Sequence, residues 1–171
     1  MKNYQTSEIK NVVLLGAPGS GKTTFAEAMA FEGKVIDRRG SIENENTLSD
    51  NTDLEHSNRR SIYSTILYTE FMNHKLNIID APGSDDFSGG LFAAFKVADV
   101  GLMLFNAQNG FEVGSEIQSR YAKTYNVPLV GVINQLDSEK ANWEGTLESI
   151  ASFSKVSTRA PASMPSSTYC S

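Results

Sequence analysis

Apolar positions along this chain come in blocks whose period changes from one segment to the next. Residues 11–16, "NVVLLG", form a continuous apolar run closed by glycine, which predicts a strand buried on both faces. The segment that follows, "KTTFAEAMAF", predicts a helix. Residues 33–58 turn polar, rich in Asn and acids and without a sustained period, so a long mobile loop with at most a short helical turn is expected. "SIYSTILYTEF" and "KLNIID" on either side of Met72, Asn73 and His74 predict an antiparallel hairpin whose second strand delivers Asp80. "GGLFAAFKVAD" reads as a helix and "VGLMLFNA", residues 100–107, as another buried strand. "GSEIQSRYAKTYN" predicts an amphipathic helix closed by Asn126, and "VPLVGVINQLD" a strand that ends in polar residues. "EKANWEGTLESIASF" predicts a last helix with Trp143, Leu147 and Ile150 on one face. The final 18 residues are dominated by Ser, Thr, Pro and Ala and have no period, which predicts a disordered tail over 154–171 beyond a domain at 1–153.

Strands alternating with helices across short connections predict an α/β fold, a mainly parallel sheet covered by helices on both faces. Ligands of such sheets sit at the carboxyl ends of the strands. The ends at Gly16, Asp80 and Asn134 should therefore face one crevice. A length of 171 residues suits one domain with a single substantial core. The formal net charge of -5 argues against a wholly electrostatic grip on nucleic acid or an anionic membrane. The single cysteine, Cys170, leaves no disulfide framework and points to a reducing compartment. With no leader-like apolar segment at the start and no apolar run long enough to span a bilayer, a soluble, cytoplasmic protein is expected.

Gly16 to Thr23, "GAPGSGKT", match the phosphate-loop pattern G-x-x-x-x-G-K-[ST] in the required place, after a buried strand and before a helix. Glycines let backbone N–H groups turn inward around phosphate oxygens, and the helix N-terminus adds its positive dipole end. Lys22 is then placed to bridge the terminal phosphates and Thr23 to put its hydroxyl on Mg²⁺. Asp80-Ala81-Pro82-Gly83 taken alone is ordinary turn chemistry. Beside a phosphate loop, Asp80 reads as a holder of Mg²⁺ through water, and the Gly83 N–H as a contact of the γ-phosphate. After the apolar "LVGVI", Asn134 and Asp137 stand where a base can rest. An aspartate accepts both N–H donors on one edge of guanine, a pair that adenine lacks. The candidate binding residues are thus Gly16, Ala17, Pro18, Gly19, Ser20, Gly21, Lys22, Thr23 and Thr24, then Asp80, Ala81, Pro82, Gly83 and Ser84, then Asn134, Gln135, Leu136 and Asp137. The cofactors they point to are GTP or GDP with Mg²⁺. His56 and His74, without nearby cysteines, read as solvated side chains and not as metal ligands.

These three motifs in this order resemble the GTP-binding domain of the translational GTPases, most closely elongation factor G and its bacterial paralogues. The resemblance runs from residue 8 to about 153 and includes "EAMAFEGKVIDRRGSIE", "NTDLE", "DDF" and "FNAQNGFEVGSEIQSRYAKTYNVPLVGVINQLD". It implies a phosphate-loop NTPase fold of three layers, GTP-dependent action on the ribosome in protein synthesis, and translocation as the process served. It also places Ser84 where the family carries the histidine that orients the attacking water, Gln135 where the family carries a lysine over the base, and Ser61 where a switch-loop hydroxyl joins Mg²⁺. The family's serine-alanine loop and its preceding strand have no counterpart here. The resemblance therefore implies an incomplete domain without its last strand. With Ser84 at the catalytic position and Lys22 as the second catalytic candidate, two behaviours stay open: slow GTP hydrolysis, or a binding switch without turnover. A phosphate-loop kinase or ATPase is the third class. The expected partners are guanine nucleotide and, through the resemblance, the ribosome; no membrane is expected, and a monomer is.

Overall fold

The computed structural model describes residues 3–42, 46–49, 64–83 and 88–154. Much of the predicted polar loop, Ser61, Ser84 and the tail from 155 onward lie outside the described residues. The apolar run around residue 12 becomes β1 (Ile9–Leu15), entered through a short 3-10 turn (Thr6–Glu8). Helix α1 (Lys22–Glu32) follows, then the hairpin of β2 (Thr65–Phe71) and β3 (His74–Asp80). Helix α2 (Ser88–Val97), strand β4 (Val100–Asn106), helix α3 (Val113–Thr124), strand β5 (Leu129–Asn134) and helix α4 (Trp143–Ser154) complete the described chain.

The five strands form one sheet in the order β2-β3-β1-β4-β5. β2 runs antiparallel to β3, with Thr65 opposite Asp80 and Phe71 opposite His74. All the other pairings are parallel; Leu14 of β1 stands between Asp80 of β3 and Leu102 of β4. Parallel neighbours bury both faces of a strand, which is why β1 reads as unbroken apolar sequence and not as an alternation. Val13, Leu15, Ile79, Met103 and Phe105 pack on one face against Leu91, Ala94 and Phe95 of α2 and Ala122 of α3. Val12, Leu14, Ile78 and Leu104 pack on the other against Ala26 of α1. The three-layer expectation is met.

One local detail differs from the pattern-based reading. The hairpin connection is two residues, Met72 and Asn73, and His74 already belongs to β3. Both turn residues have positive φ, 46° and 64°, the geometry whose twist matches that of paired strands. In β5, Leu129 and Val130 are exposed. Among the described residues β5 pairs only with β4, so it lies at the sheet edge. Asn126, with φ 56°, ends the turn after α3, in keeping with its predicted role as a stop.

Gly33 fixes how closely α1 approaches the sheet. A Cβ there would lie 1.7 Å from Thr69 Oγ1, and that hydroxyl donates to the Met29 carbonyl at 3.0 Å. The chain beyond α1 is tied back by Glu27. Its buried carboxylate accepts the Gly40 N–H at 3.0 Å and the Leu48 N–H as well.

Candidate nucleotide-binding site

β1 delivers the loop, and three of its residues adopt backbone conformations that favour glycine: Gly16 at φ 138°, Gly19 at 80° and Gly21 at 88°. A Cβ on Gly16 would lie 2.4 Å from the Leu104 carbonyl oxygen and 2.7 Å from Ser20 Oγ. The loop is thus pressed against the end of β4, and only glycine fits. Gly21 is the N-cap of α1, so the first amides of that helix open onto the loop.

Lys22 is the first residue of α1 and is buried; its ammonium donates to the carbonyls of Gly16 at 3.0 Å and Ala17 at 3.1 Å. Burial pushes its pKa down from 10.5 to about 8, against the opposing attraction of Asp80 and Glu112. Gly83 backs onto the same group: a Cβ on it would lie 2.5 Å from Lys22 Nζ. Thr23 donates its hydroxyl to Asp80 Oδ2 at 2.9 Å, which joins the start of α1 to the end of β3. The Ser20 hydroxyl is buried and has no hydrogen-bond partner among the described residues.

The end of β5 closes the crevice from the other side. Asn134 Nδ2 donates to the Ser20 carbonyl at 2.9 Å, and Gln135 Nε2 to the Gly19 carbonyl at 2.9 Å. Gln135 Oε1 in turn accepts from Asn106 Nδ2 at 2.7 Å. Gln135 sits at φ 62°, a left-handed conformation that directs the chain from β5 into the next turn. Leu136 and Asp137 lie exposed beyond these bonds, while Ala81 and Pro82 are buried and Pro18, Gly19 and Thr24 face solvent.

The structure thus gathers Gly16 to Thr23, Asp80, Gly83, Asn134 and Gln135 at one sheet edge, and leaves Asp137 exposed. Ser61 and Ser84 lie outside the described residues. Sequence reading passed over Gln118. It projects from α3, is buried, and accepts the Gly16 N–H at 2.6 Å. The available signal was its place on the helical stripe with Ser115 and Ala122, the only amide-bearing residue among the three buried positions of that helix.

A cradle that a Cβ would fill, a buried ammonium and an unpartnered buried hydroxyl suit phosphate oxygens. The adjacent Thr23 hydroxyl and Asp80 carboxylate are hard oxygen donors of the kind Mg²⁺ takes in small number. No cluster of three His, Cys, Asp or Glu side chains exists among the described residues.

Fold and site together define a phosphate-loop nucleotide-binding domain. The family described as the elongation factor Tu GTP-binding domain matches residues 7–168, and the chain belongs to that family. It is similar to elongation factor G of Dehalococcoides mccartyi, 32% identical over 88% of this chain and 22% of that protein. The elongation factor G-like protein of Mycobacterium tuberculosis is also 32% identical, over 81% of this chain and 20% of its own length. A solved structure from Thermus thermophilus superposes with a TM-score of 0.81 at 32% identity, covering 85% of this chain and 22% of that one. A bacterial selenocysteine-specific elongation factor, at 22% identity and a TM-score of 0.66, shares the fold. Within that family its likeness is to the GTP-binding domains of elongation factor G and elongation factor G-like proteins. It spans about a fifth of the length of the curated relatives it matches.

Proposed function

We propose that this domain binds GTP and GDP with Mg²⁺ in the crevice between the phosphate loop and the ends of β3 and β5, and that it serves a translation factor acting on the ribosome in translocation. The observation that carries the reading is the buried Lys22 ammonium, held at the loop's mouth beside Gly83 and the Thr23–Asp80 pair. Backbone N–H groups of residues 19–23 wrap the phosphates, Lys22 bridges the terminal ones, and Thr23, Asp80 and Ser61 are the residues that would hold Mg²⁺. Mg²⁺ supplies neutralisation of phosphate charge when bound. Asp137 reads guanine, and Asn134 and Gln135 brace the base-reading turn against the loop through the Ser20 and Gly19 carbonyls.

Gln135 keeps a tie to the loop without contributing a positive charge near the nucleotide, which favours weaker binding than a lysine would give. Ser84 stands where the resemblance puts the water-orienting histidine, and its short side chain favours slow hydrolysis. The cytoplasm and a monomeric state are part of the same reading; no described helix is long and apolar enough to cross a membrane.

Calorimetric titration with GDP and GTP, with and without Mg²⁺, tests the binding claim. Saturable 1:1 binding strengthened by Mg²⁺ is expected, and ATP competing as well as GTP would overturn the guanine assignment. Single-turnover hydrolysis with ribosomes, for a full-length version before and after Ser84→His, tests the catalytic claim. Rapid hydrolysis by the parent, unchanged by the substitution, would overturn it.

A further inference from the structure

Gly16 is the residue on which the phosphate loop turns away from β1, and the most flexible residue type occupies the point where precision is needed. Its conformation, φ 138°, is one that the unassisted chain visits among many others. On one side it abuts the Leu104 carbonyl. On the other it meets Gln118, which is separated from it by 102 positions and carried on α3.

The Gln118 carboxamide makes two bonds to this one residue: Oε1 accepts the Gly16 N–H at 2.6 Å, and Nε2 donates to the Gly16 carbonyl at 3.3 Å. The pairing imitates the double bond by which neighbouring strands hold a residue. It fixes the orientation of the amide too, because a backbone N–H requires oxygen opposite it. The Gly16 carbonyl so held is the one that accepts from Lys22 Nζ at 3.0 Å. α3 is drawn close at its start as well, where a Cβ on Gly114 would come within 3.6 Å of the Ala17 Cα.

We infer that Gln118 is a positioning residue of the nucleotide site, holding Gly16 from both of its backbone polar groups so that the phosphate loop and the Lys22 ammonium are set before nucleotide arrives. The inference rests on the proposed nucleotide reading. Its physical content is preorganisation: if the competent loop is one of several conformations, affinity falls in proportion to its population. An apolar residue at 118 leaves the buried Gly16 N–H without its acceptor, and the loop escapes that penalty by turning toward water.

The test uses the full chain, with Gln118→Met to remove both bonds at similar length and Gln118→Glu to restore only the acceptor. The nucleotide-free proteins are compared first, by the Gly16 amide resonance in nitrogen-15 NMR and by thermal unfolding. GDP with Mg²⁺ is then titrated calorimetrically. In Gln118→Met, unfolding is expected to remain cooperative, the Gly16 amide proton to move upfield, and the GDP Kd to rise about tenfold. In Gln118→Glu the Gly16 signal is expected to return toward its parental position while affinity stays weak, because the Nε2 donor to the Gly16 carbonyl is gone and an anion stands behind the phosphate loop. Should Gln118→Met fail to fold, the Glu variant decides: parental affinity in it overturns the inference. A Gln118→Met protein with an unchanged Gly16 signal and a Kd within twofold of the parent also overturns it. A parent that binds neither GDP nor GTP defeats the nucleotide reading instead, and the Gly16 signal still reports whether Gln118 holds the loop.

Discussion

Replacing Lys22 with methionine removes a cation that folding strips of water. Burial lowers the lysine's pKa from 10.5 to about 8, with Asp80 and Glu112 opposing the shift. At 1.36 kcal/mol per pH unit this corresponds to about 3 kcal/mol lost from the stability of the nucleotide-free domain. The folded pKa lies below the unfolded one, so between pH 8 and 10.5 the unfolded chain binds more protons and stability rises with pH. The cost is fully present below pH 8 and disappears as pH climbs through that window. Lys22→Met lacks it at every pH. The methionine also forfeits the bonds to the Gly16 and Ala17 carbonyls, but a neutral amine still donates, so that loss is nearly independent of pH. The informative quantity is therefore the stability difference between the two proteins as pH changes. Urea unfolding followed by the fluorescence of Trp143, with EDTA and without nucleotide, should show the parent gaining about 2–3 kcal/mol on the variant between about pH 7.5 and 10. That amounts to roughly 1–1.5 M in relative midpoint. A difference constant within about 0.5 kcal/mol would refute the claim that folding desolvates this ammonium. Phosphates restore the charge of Lys22, so GDP affinity should fall with rising pH above about 8, by at most about one decade per pH unit.

Three further substitutions probe the frame around the site. Glu27→Gln keeps the volume but offers one acceptor to the two N–H groups of Gly40 and Leu48; a loss of about 2 kcal/mol in urea unfolding is expected, with faster amide exchange at one of those two residues. Gly16→Ala places a methyl group against the Leu104 carbonyl at a positive φ; about 3 kcal/mol of destabilisation and loss of measurable GDP binding are expected by thermal unfolding and calorimetry. Gln135→Met breaks the bonds to Gly19 and Asn106 at the surface; stability should drop by only about 1 kcal/mol, while GDP dissociation, followed with a fluorescent analogue, should quicken about fivefold.

Most of the architecture was legible because parallel strands announce themselves. β1 and β4 are apolar on both faces, and each predicted strand ends within a few residues of the glycine or polar residue named for it. Thr23 and Asp80 came from different motifs and were expected to serve the same metal; they stand 2.9 Å apart. What pattern reading missed was relational. Glu27 and Gln118 look like ordinary helix residues, and nothing local says that one bonds Gly40 and Leu48 or that the other bonds Gly16. The exposure of Leu129 and Val130 goes with the edge place of β5 among the described residues, in keeping with a domain expected to lack its last strand.

The sequence by itself determined the elements, their order, the glycine-rich turn and the chemistry of the groups at the strand ends. These follow from periodicity and from what each side chain can donate, accept or sterically tolerate, all properties of short stretches. Only the tertiary structure decided which groups are dry and which are paired across the fold. Lys22 becomes a buried cation with a lowered pKa because the ends of the strands and their loops close around it, and Gln118 reaches Gly16 because α3 packs beside the end of β1. Desolvation and hydrogen-bond partnership between residues 102 positions apart depend on distances that no local pattern encodes.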